Sequence, residues 1–475
     1  MINVAYRTFE KTGDSSWTIG TVSDAPDAQY LWHYWIPIML LLDREKFRLC
    51  SLDEVLAERS PFLYPVELRW EFLEWLEEGI IQEFLTPHIP PAVFEAARIG
   101  RALIIIFYGN EGRLLSYTRQ SDGRLCSVYD RLLDFVQNNN LPSGAVWFVN
   151  GNLNTDPEYR QWKLEREIGD ATYFEVRTGE YFSYMTKMMR RLHESGYDIT
   201  MHWDLVSSER GLAHYGIDIE IKPLDRPLSD VYASVSDNDY EPAKLFLCMN
   251  RITRGYRRHI VVCLQSCGLL ERSLVSFNDE EPDTSWYDEP GLQRAWEEVK
   301  KKIPMVIDRT DMPSNWNLGG GKRVKVDDFF YVKTTESWPY RNCFFSIVTE
   351  TQYRNDLLYP SEKIWKPIVH GLPFIVVGTP GLLSYLRSLG FQTFSPIIDE
   401  EYDSIVDDDL RLRRIYSVIE RLGNLSQEQL RQAREALRPV TSHNAQHLMR
   451  MYTPLEELFA EISARLPAVA DILKR

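Results

Sequence analysis

Cysteine is scarce in this chain. Six cysteines in 475 residues (Cys50, Cys126, Cys248, Cys263, Cys267 and Cys343) show no paired spacing, which argues against a disulfide framework and reads as a reduced, intracellular protein. An excess of positive charge is missing too: 54 Lys and Arg face 69 Asp and Glu, for a formal net charge of -15. Broad polyanion binding depends on basic side chains displacing counterions, so a nucleic-acid-coating surface is disfavoured, while a local basic cleft is not. No apolar run is long enough to span a bilayer; the best, residues 31–42, is short and broken by His33. The stretch MINVAYRTFEKTGDSSW has no apolar signal core, and internal repeats and low-complexity segments are not evident. Together these absences predict a soluble protein of the cytoplasm (the host cytoplasm if the chain is viral), with no membrane span.

What remains is the composition of a globular protein. The 44% hydrophobic and 12% aromatic content is enough for a large core, and the length exceeds what one core usually supports, so two domains are expected. Residues 1–225 alternate helical and strand signals: an amphipathic 66–84, an apolar run 102–108, a helix-like 129–138 and a strand 145–149. This is the pattern of an α/β domain. The runs at 102 and 145 end in turn-prone residues, Gly109-Asn110-Glu111-Gly112 and Asn150-Gly151-Asn152, the kind of strand-end loop that contacts an acceptor. Residues 226–243, rich in Pro, Asp and Ser, read as a linker. A second α/β series then covers 244–425. It begins with strand Lys244–Met249, followed by a helix over 255–267 with Tyr256, Ile260, Cys263, Leu264 and Cys267 on one side and Gly268 as its stop. Residues 278–287 and 315–321 read as surface excursions. Further helices are expected at Leu382–Ser388, before a Gly390 stop, and at 410–422, with Leu412, Ile415, Ile419 and Leu422 in register. Ser426 and Gln429 form a capping-box signature, and 426–475 is predicted to be helical.

The chemistry concentrates in FFSIVTETQYRNDLLYPSEKIWKPIVHGLPFIVVG, residues 344–378. A β-rich run ends in Thr349, Glu350 and Thr351, a Pro-Ser-Glu-Lys helix start follows, and a strand closes the segment. Open α/β sheets bind phosphorylated ligands at such strand ends. Ser361 can cap the helix, so that backbone N–H groups, Lys363 and Lys366 face one anion, while Glu362 can accept from sugar hydroxyls. The plainer reading is a capped surface helix with a solvated Glu-Lys pair. A second cluster, Asn250 and Arg251 at a strand end with Arg254, Arg257 and Arg258 entering the next helix, suits phosphate; arginine's planar fork favours Arg258 or Arg251 as the clamp. Cations there oppose the helix dipole and need compensation. His259, Cys263 and Cys267 share a helix face, but with no fourth ligand apparent they read as core rather than zinc ligands. Gly319-Gly320-Gly321-Lys322 lacks phosphate-loop spacing, and Asp407-Asp408-Asp409 reads as a helix start. No metal is expected. Glu111, after the strand run 102–108, is the best-placed candidate for a general base, on position alone.

Residues 344–378 resemble the donor-binding motif of the α-1,3-fucosyltransferase family. Glu350 stands at its first glutamate, Tyr359-Pro360-Ser361-Glu362-Lys363 matches its Tyr-Val-Thr-Glu-Lys stretch, and residues 373–378 match its closing strand; Thr351 stands where the family has Asn. The resemblance implies that Glu362 and Lys363 contact the nucleotide sugar and that Arg258 contacts its phosphates. Residues 244–444 look closer still to uncharacterised glycosyltransferase-like proteins of large bacteriophages and some bacteria. Shared-looking features there are Asn250-Arg251, residues 348–351, Glu362-Lys363, Lys366-Pro367-Ile368, residues 373–375, Gly390-Phe391, Asp399-Glu400, Tyr402-Asp403 and His443-Asn444. Both resemblances imply the GT-B architecture, two Rossmann-like domains facing a cleft with a helical C-terminal tail. They also imply a metal-independent glycosyltransferase with no cofactor beyond its nucleoside-diphosphate-sugar substrate. The donor would be held by Asn250, Arg251, Arg258, Thr349, Glu350, Thr351, Ser361, Glu362 and Lys363, and transfer to a hydroxyl would proceed with inversion. The acceptor is expected to be a glycan or, alternatively, a hydroxylated or hydroxymethylated pyrimidine in phage DNA. A further alternative is a non-catalytic sugar-nucleotide-binding protein.

Overall fold

The computed structural model describes residues 2–6, 8–11, 16–20, 47–68, 86, 89–108, 117–119, 123, 125–180, 182–207, 213–223, 241–250, 254–277, 290–305, 307, 338–354, 357–395 and 397–472. They divide into two units, Met1–Pro223 with Tyr452–Arg475 and Leu224–Met451. Each is built around a parallel sheet.

The first unit runs β1 (Ile2–Tyr6), β2 (Thr8–Lys11), β3 (Ser16–Gly20), β4 (Phe47–Ser51), α1 (Leu52–Glu58), β5 (Phe62–Leu68), α2 (Pro91–Arg98) and β6 (Ala102–Tyr108). A small ladder of β7 (Thr118–Arg119) and β8 (Leu125–Cys126) precedes α3 (Val128–Asn138), β9 (Val146–Asn150), α4 (Thr155–Glu165), β10 (Glu175–Thr178) and α5 (Phe182–Glu194). A long hairpin follows, β11 (Tyr197–Ser207) with β12 (Ala213–Pro223). The main sheet has the order β10-β9-β6-β5-β1-β4 and every pairing in it is parallel. The central strands ALIIIFY and VWFVN are buried along their length, as strands covered on both faces must be. The hairpin joins β3 and β2 in a separate antiparallel sheet. Ser51 with Glu54, and Ser127 with Asp130, form capping boxes that start α1 and α3.

The amphipathic pattern expected over 66–84 is overridden at its start. Val66, Glu67 and Leu68 continue β5 in register with Ile106, Phe107 and Tyr108, because parallel pairing beside a buried strand outweighs local helical periodicity. The rest of that segment, most of the linker 226–243 and the excursions at 278–287 and 315–321 lie outside the described residues.

The second unit runs β13 (Lys244–Met249), α6 (Gly255–Ser266), β14 (Leu274–Ser276), α7 (Pro290–Lys300), α8 (Trp338–Arg341), β15 (Cys343–Thr349), α9 (Glu362–Val369), β16 (Phe374–Val377), α10 (Leu382–Ser388), α11 (Asp408–Gly423) and α12 (Gln427–Arg450). Its sheet is parallel throughout, in the order β14-β13-β15-β16. Gly268 and Gly390 take left-handed φ values of 66° and 92° just past α6 and α10, which is how glycine closes a helix. Helix α11 buries Leu412, Ile415, Ile419 and Leu422, and the Ser426–Gln429 capping box opens α12. The expected α/β class with a helical C-terminal region is what forms. No helix among the described residues is long and apolar enough to cross a membrane.

The helices of 426–475 are shared by the two units. Helix α12 belongs to the second, whereas α13 (Pro454–Ile472) packs in the first. Phe459 meets Phe47 and Tyr184 edge to face at 4.7 and 5.8 Å. Arg465 stacks over Trp147, whose other neighbour is Arg177. The ammonium of Lys187 on α5 donates to Glu456 at 2.8 Å, with both side chains almost fully buried. Glu456 also accepts from Thr453 N at 2.8 Å. Burial pushes the Glu456 carboxyl up, but Lys187 and Thr453 outweigh it and hold it below the usual range. Removing one partner leaves the other charge buried and alone. Glu456→Ala is therefore expected to destabilise the first unit by about 3–5 kcal/mol in chemical unfolding, with Lys187→Met/Glu456→Leu recovering most of the loss.

Candidate functional site

A parallel sheet delivers all its strand C-termini to one edge, and in the second unit that edge gathers most of the expected donor residues. Asn250 follows β13, Thr349 ends β15 with Glu350 and Thr351 next, and Gly378 follows β16. The hydroxyl of Thr349 donates to Asn250 Oδ1 at 2.6 Å, tying adjacent strand ends together. Asn250 is pinned further through its N–H, which reaches Ser276 O at 3.0 Å. A Cβ at Gly378 would meet Leu382 Cδ1 at 2.6 Å and Glu350 Cβ at 3.2 Å, so glycine there permits β16 to lie close against the Glu350 turn.

The start of α6 closes over the end of β15. Arg254 Nη1 donates to Thr351 O. The Tyr256 hydroxyl donates to Glu350 O, and to Thr351 O at 3.1 Å. Arg257 Nη2 donates to Thr349 O at 3.3 Å and Glu350 O at 3.1 Å. Three successive strand-end carbonyls thus supply the negative charge that balances cations at a helix N-terminus. Arg258, expected to clamp phosphate, is buried with its guanidinium over the Trp296 ring at 5.1 Å. Arg254 and Arg257, not Arg258, donate to the strand-end carbonyls.

Glu350 joins the strand end to the start of α9. It is fully buried; Oε1 accepts from Ser361 N at 3.1 Å, while Oε2 accepts from the Ser361 hydroxyl and from Thr351 N at 3.3 Å. Burial pushes its carboxyl above the usual range, against the pull of Lys363 and the Ser361 hydrogen bonds. Its oxygens are engaged with protein donors. Ser361 is the N-cap of α9, accepting from Lys363 N. Lys363, whose side chain is 26% exposed, pairs through its ammonium with Glu362 at 2.9 Å and donates to Ser361 Oγ at 3.1 Å and Thr351 Oγ1 at 3.3 Å. Burial pushes the Glu362 carboxyl up, but Lys363 and Lys366 outweigh it and hold it low. Lys366, one turn along, is buried, which pulls its ammonium down to about 8 despite Glu362. The strand end and helix start thus form one hydrogen-bonded unit with a partly exposed cation and the first N–H groups of a helix, an arrangement that can receive an anion.

Arg251 and Glu111 lie outside the described residues, as do Gly109-Asn110-Gly112 and the Gly319–Lys322 turn. In the first unit the Asn150 loop is knotted by its own side chains: Asn150 Nδ2 donates to Tyr108 O at 2.8 Å, and Asn150 Oδ1 accepts from Asn152 N at 2.6 Å. His259 sits against the Tyr416 hydroxyl at 3.1 Å, and burial with Arg258 and Arg354 lowers its imidazole to about 4. Among the described residues no group of three or more His, Cys, Asp and Glu is arranged to hold a metal ion. Asp407 caps α11. Several of the shared-looking positions do structural work: Asp403 accepts from Leu383 N and Ser384 N at 3.0 Å to cap α10, Tyr402 accepts from Val376 N, and Asn444 makes two 2.8 Å bonds to the Gln392 backbone. Tyr353 and Arg411 are site neighbours that spacing did not single out, while Tyr256 was read only as part of the apolar helix side and Arg257 only as a member of the basic cluster. All but Tyr353 sit inside helical patterns, where the phase of one residue decides between solvent and site.

No protein-family model matches the chain, and no curated protein does. Among solved structures, CalG4, the calicheamicin glycosyltransferase, is similar over 99% of both chains at 10% identity, with a TM-score of 0.32.

A carboxyl whose folded pKa is raised favours folding fully below the ordinary range, near 4.3, and loses that contribution as pH rises through the raised value. Glu350→Gln keeps an acceptor for Ser361 N without the charge. Its thermal stability relative to wild type is therefore expected to improve as pH rises above about 4.3 and to level off once pH passes the raised value of the wild-type carboxyl. A difference that stays flat with pH would show that Glu350 is not buried as a strained carboxylate.

Proposed function

We propose that the protein is a GT-B-type glycosyltransferase that moves a sugar from a nucleoside diphosphate to a hydroxyl, and that its second unit holds the donor. One observation carries this reading: at the C-terminal edge of a parallel sheet, Glu350 fastens the end of β15 to the capped start of α9, where Lys363 is partly exposed. A leaving diphosphate gains charge as the sugar departs, and fixed cations and helix N–H groups stabilise that charge without reorganising. In this proposal Lys363 and the α9 N-terminus neutralise the diphosphate. Glu362, held ionised by two lysines, accepts from sugar or ribose hydroxyls. Glu350, Asn250, Thr349, Thr351 and Ser361 hold the frame. Arg257 and Arg258 act from α6 behind it, and Arg251 is proposed to contribute a further cation. Because side chains and helix supply the positive charge, transfer is proposed to be metal-independent. Glu111 is the proposed base for an inverting displacement.

The test is a thermal-shift and turnover panel of nucleotide sugars, with glycans and hydroxymethylated DNA as parallel acceptors. A true donor at a hundred times its Kd should add about 2.7 kcal/mol of apparent stability. Lys363→Ala is expected to weaken nucleoside diphosphate binding roughly ten- to a hundredfold, as loss of a charged hydrogen-bond donor does. Glu111→Gln should leave binding intact and abolish transfer, and a chelator should not slow it. No stabilising donor, or full affinity in Lys363→Ala, would refute the reading.

A second expectation follows from Lys366. A nearby phosphate favours the charged ammonium, so donor binding at pH 8, close to its value of about 8, should take up about half a proton. Calorimetry in buffers of different ionisation enthalpy measures this, and Lys366→Met should remove it.

A further inference from the structure

Arg411, in the first turn of α11, is a charged side chain only 1% exposed. Its guanidinium is held by protein acceptors. Nη1 donates to Ile405 O at 2.8 Å and Val406 O at 3.1 Å, and Nη2 donates to Tyr353 O at 2.6 Å and pairs with Asp408. It lies 4.4 Å from the centre of the Tyr353 ring. Tyr353 stacks in turn on Tyr256, with centroids 4.9 Å apart and planes 19° from parallel, and its hydroxyl donates to Asp408 O at 2.7 Å. Tyr256 ends the series by donating to the carbonyls of Glu350 and Thr351. A continuous column therefore runs from the α11 start through two rings to the strand end that carries Glu350.

A buried guanidinium is costly to desolvate, and an apolar side chain of similar volume would often be as stable there. What the arginine adds is direction: its planar fork and ring contact hold three segments in one geometry. We propose that Arg411 and Tyr353 are positioning residues, and that the Arg411–Tyr353–Tyr256 column fixes the 349–354 turn and thereby sets the affinity of the site for a diphosphate. The affinity half of this proposal rests on the donor-site reading above; the ordering half does not.

The test compares Tyr353→Phe, Tyr353→Leu and Arg411→Lys with Ser426→Ala, a loss of the α12 cap remote from the turn in sequence. The readouts are hydrogen exchange over residues 349–354 without ligand, and binding of inorganic pyrophosphate, GDP and UDP. Tyr353→Phe keeps both stacking contacts and should stay within about twofold of wild type in both readouts, whereas Tyr353→Leu should exchange at least about tenfold faster and bind about tenfold more weakly. Arg411→Lys, which keeps the charge but not the fork, should fall between them. Ser426→Ala should lower the melting temperature without moving either readout. Unchanged exchange in Tyr353→Leu, or equal acceleration in Ser426→Ala, would overturn the proposal, as would faster exchange with unaltered affinity. If wild type binds none of the three probes, the donor-site reading fails, and with it the affinity half, while the exchange series still decides whether the column orders the turn.

Discussion

The second unit depends on how the end of β15 is closed. Three consecutive carbonyls, from Thr349, Glu350 and Thr351, meet Arg257, Tyr256 and Arg254 at the start of α6. A buried carbonyl without a donor costs about 1–3 kcal/mol, and a cation at a helix N-terminus is opposed by the dipole. Each group relieves the other. Once the backbone of the turn is held in this way, the Glu350 side chain points at Ser361, and the N-terminus of α9 is set against the sheet edge. The cap, the lysine and the strand end are then one object rather than three neighbouring motifs.

That object concentrates ionisable groups where water is scarce. Glu350 is pushed toward protonation by burial, Glu362 is held ionised by two lysines, and Lys366 is pulled down to about 8. Displaced values gathered at one strand end and helix start are common where proteins handle charged ligands, and structural ion-pair networks produce them as well. Here the exposed member is Lys363, and the others set its field. The difference between Glu350 and Glu362 is one of partners: the first is satisfied by Ser361 and Thr351, the second by lysines.

Much of this was legible in the residues. Strand Lys244–Met249, the Ser361 cap, the glycine stops at 268 and 390 and the Ser426 capping box follow from local chemistry, which acts over a few residues and leaves a local trace. The gathering of Asn250, Glu350 and Ser361 followed from parallel topology. What the pattern could not separate was Arg257 from Arg258: adjacent residues on a helix differ by about 100° in direction, and an RGYRRH run does not say which one meets the strand. Nor did the phase of α11 reveal Arg411, because only Leu412, Ile415, Ile419 and Leu422 mark its buried face in the pattern. The strand character of Val66, Glu67 and Leu68 was hidden for a related reason, since their partners lie some forty residues on in β6.

The return of α13 to the first unit bears on the order in which the chain acquires structure. Residues 224–451 are a continuous stretch, inserted within a unit whose helix α13 follows them in the chain. A ribosome releases chain from the N-terminus onward. While residues 1–223 wait for Tyr452–Arg475, Lys187 has no Glu456, and Phe47 and Tyr184 have no Phe459. The inserted unit has the described strands of its sheet in hand before α13 emerges, so of the two units the first is the one completed later.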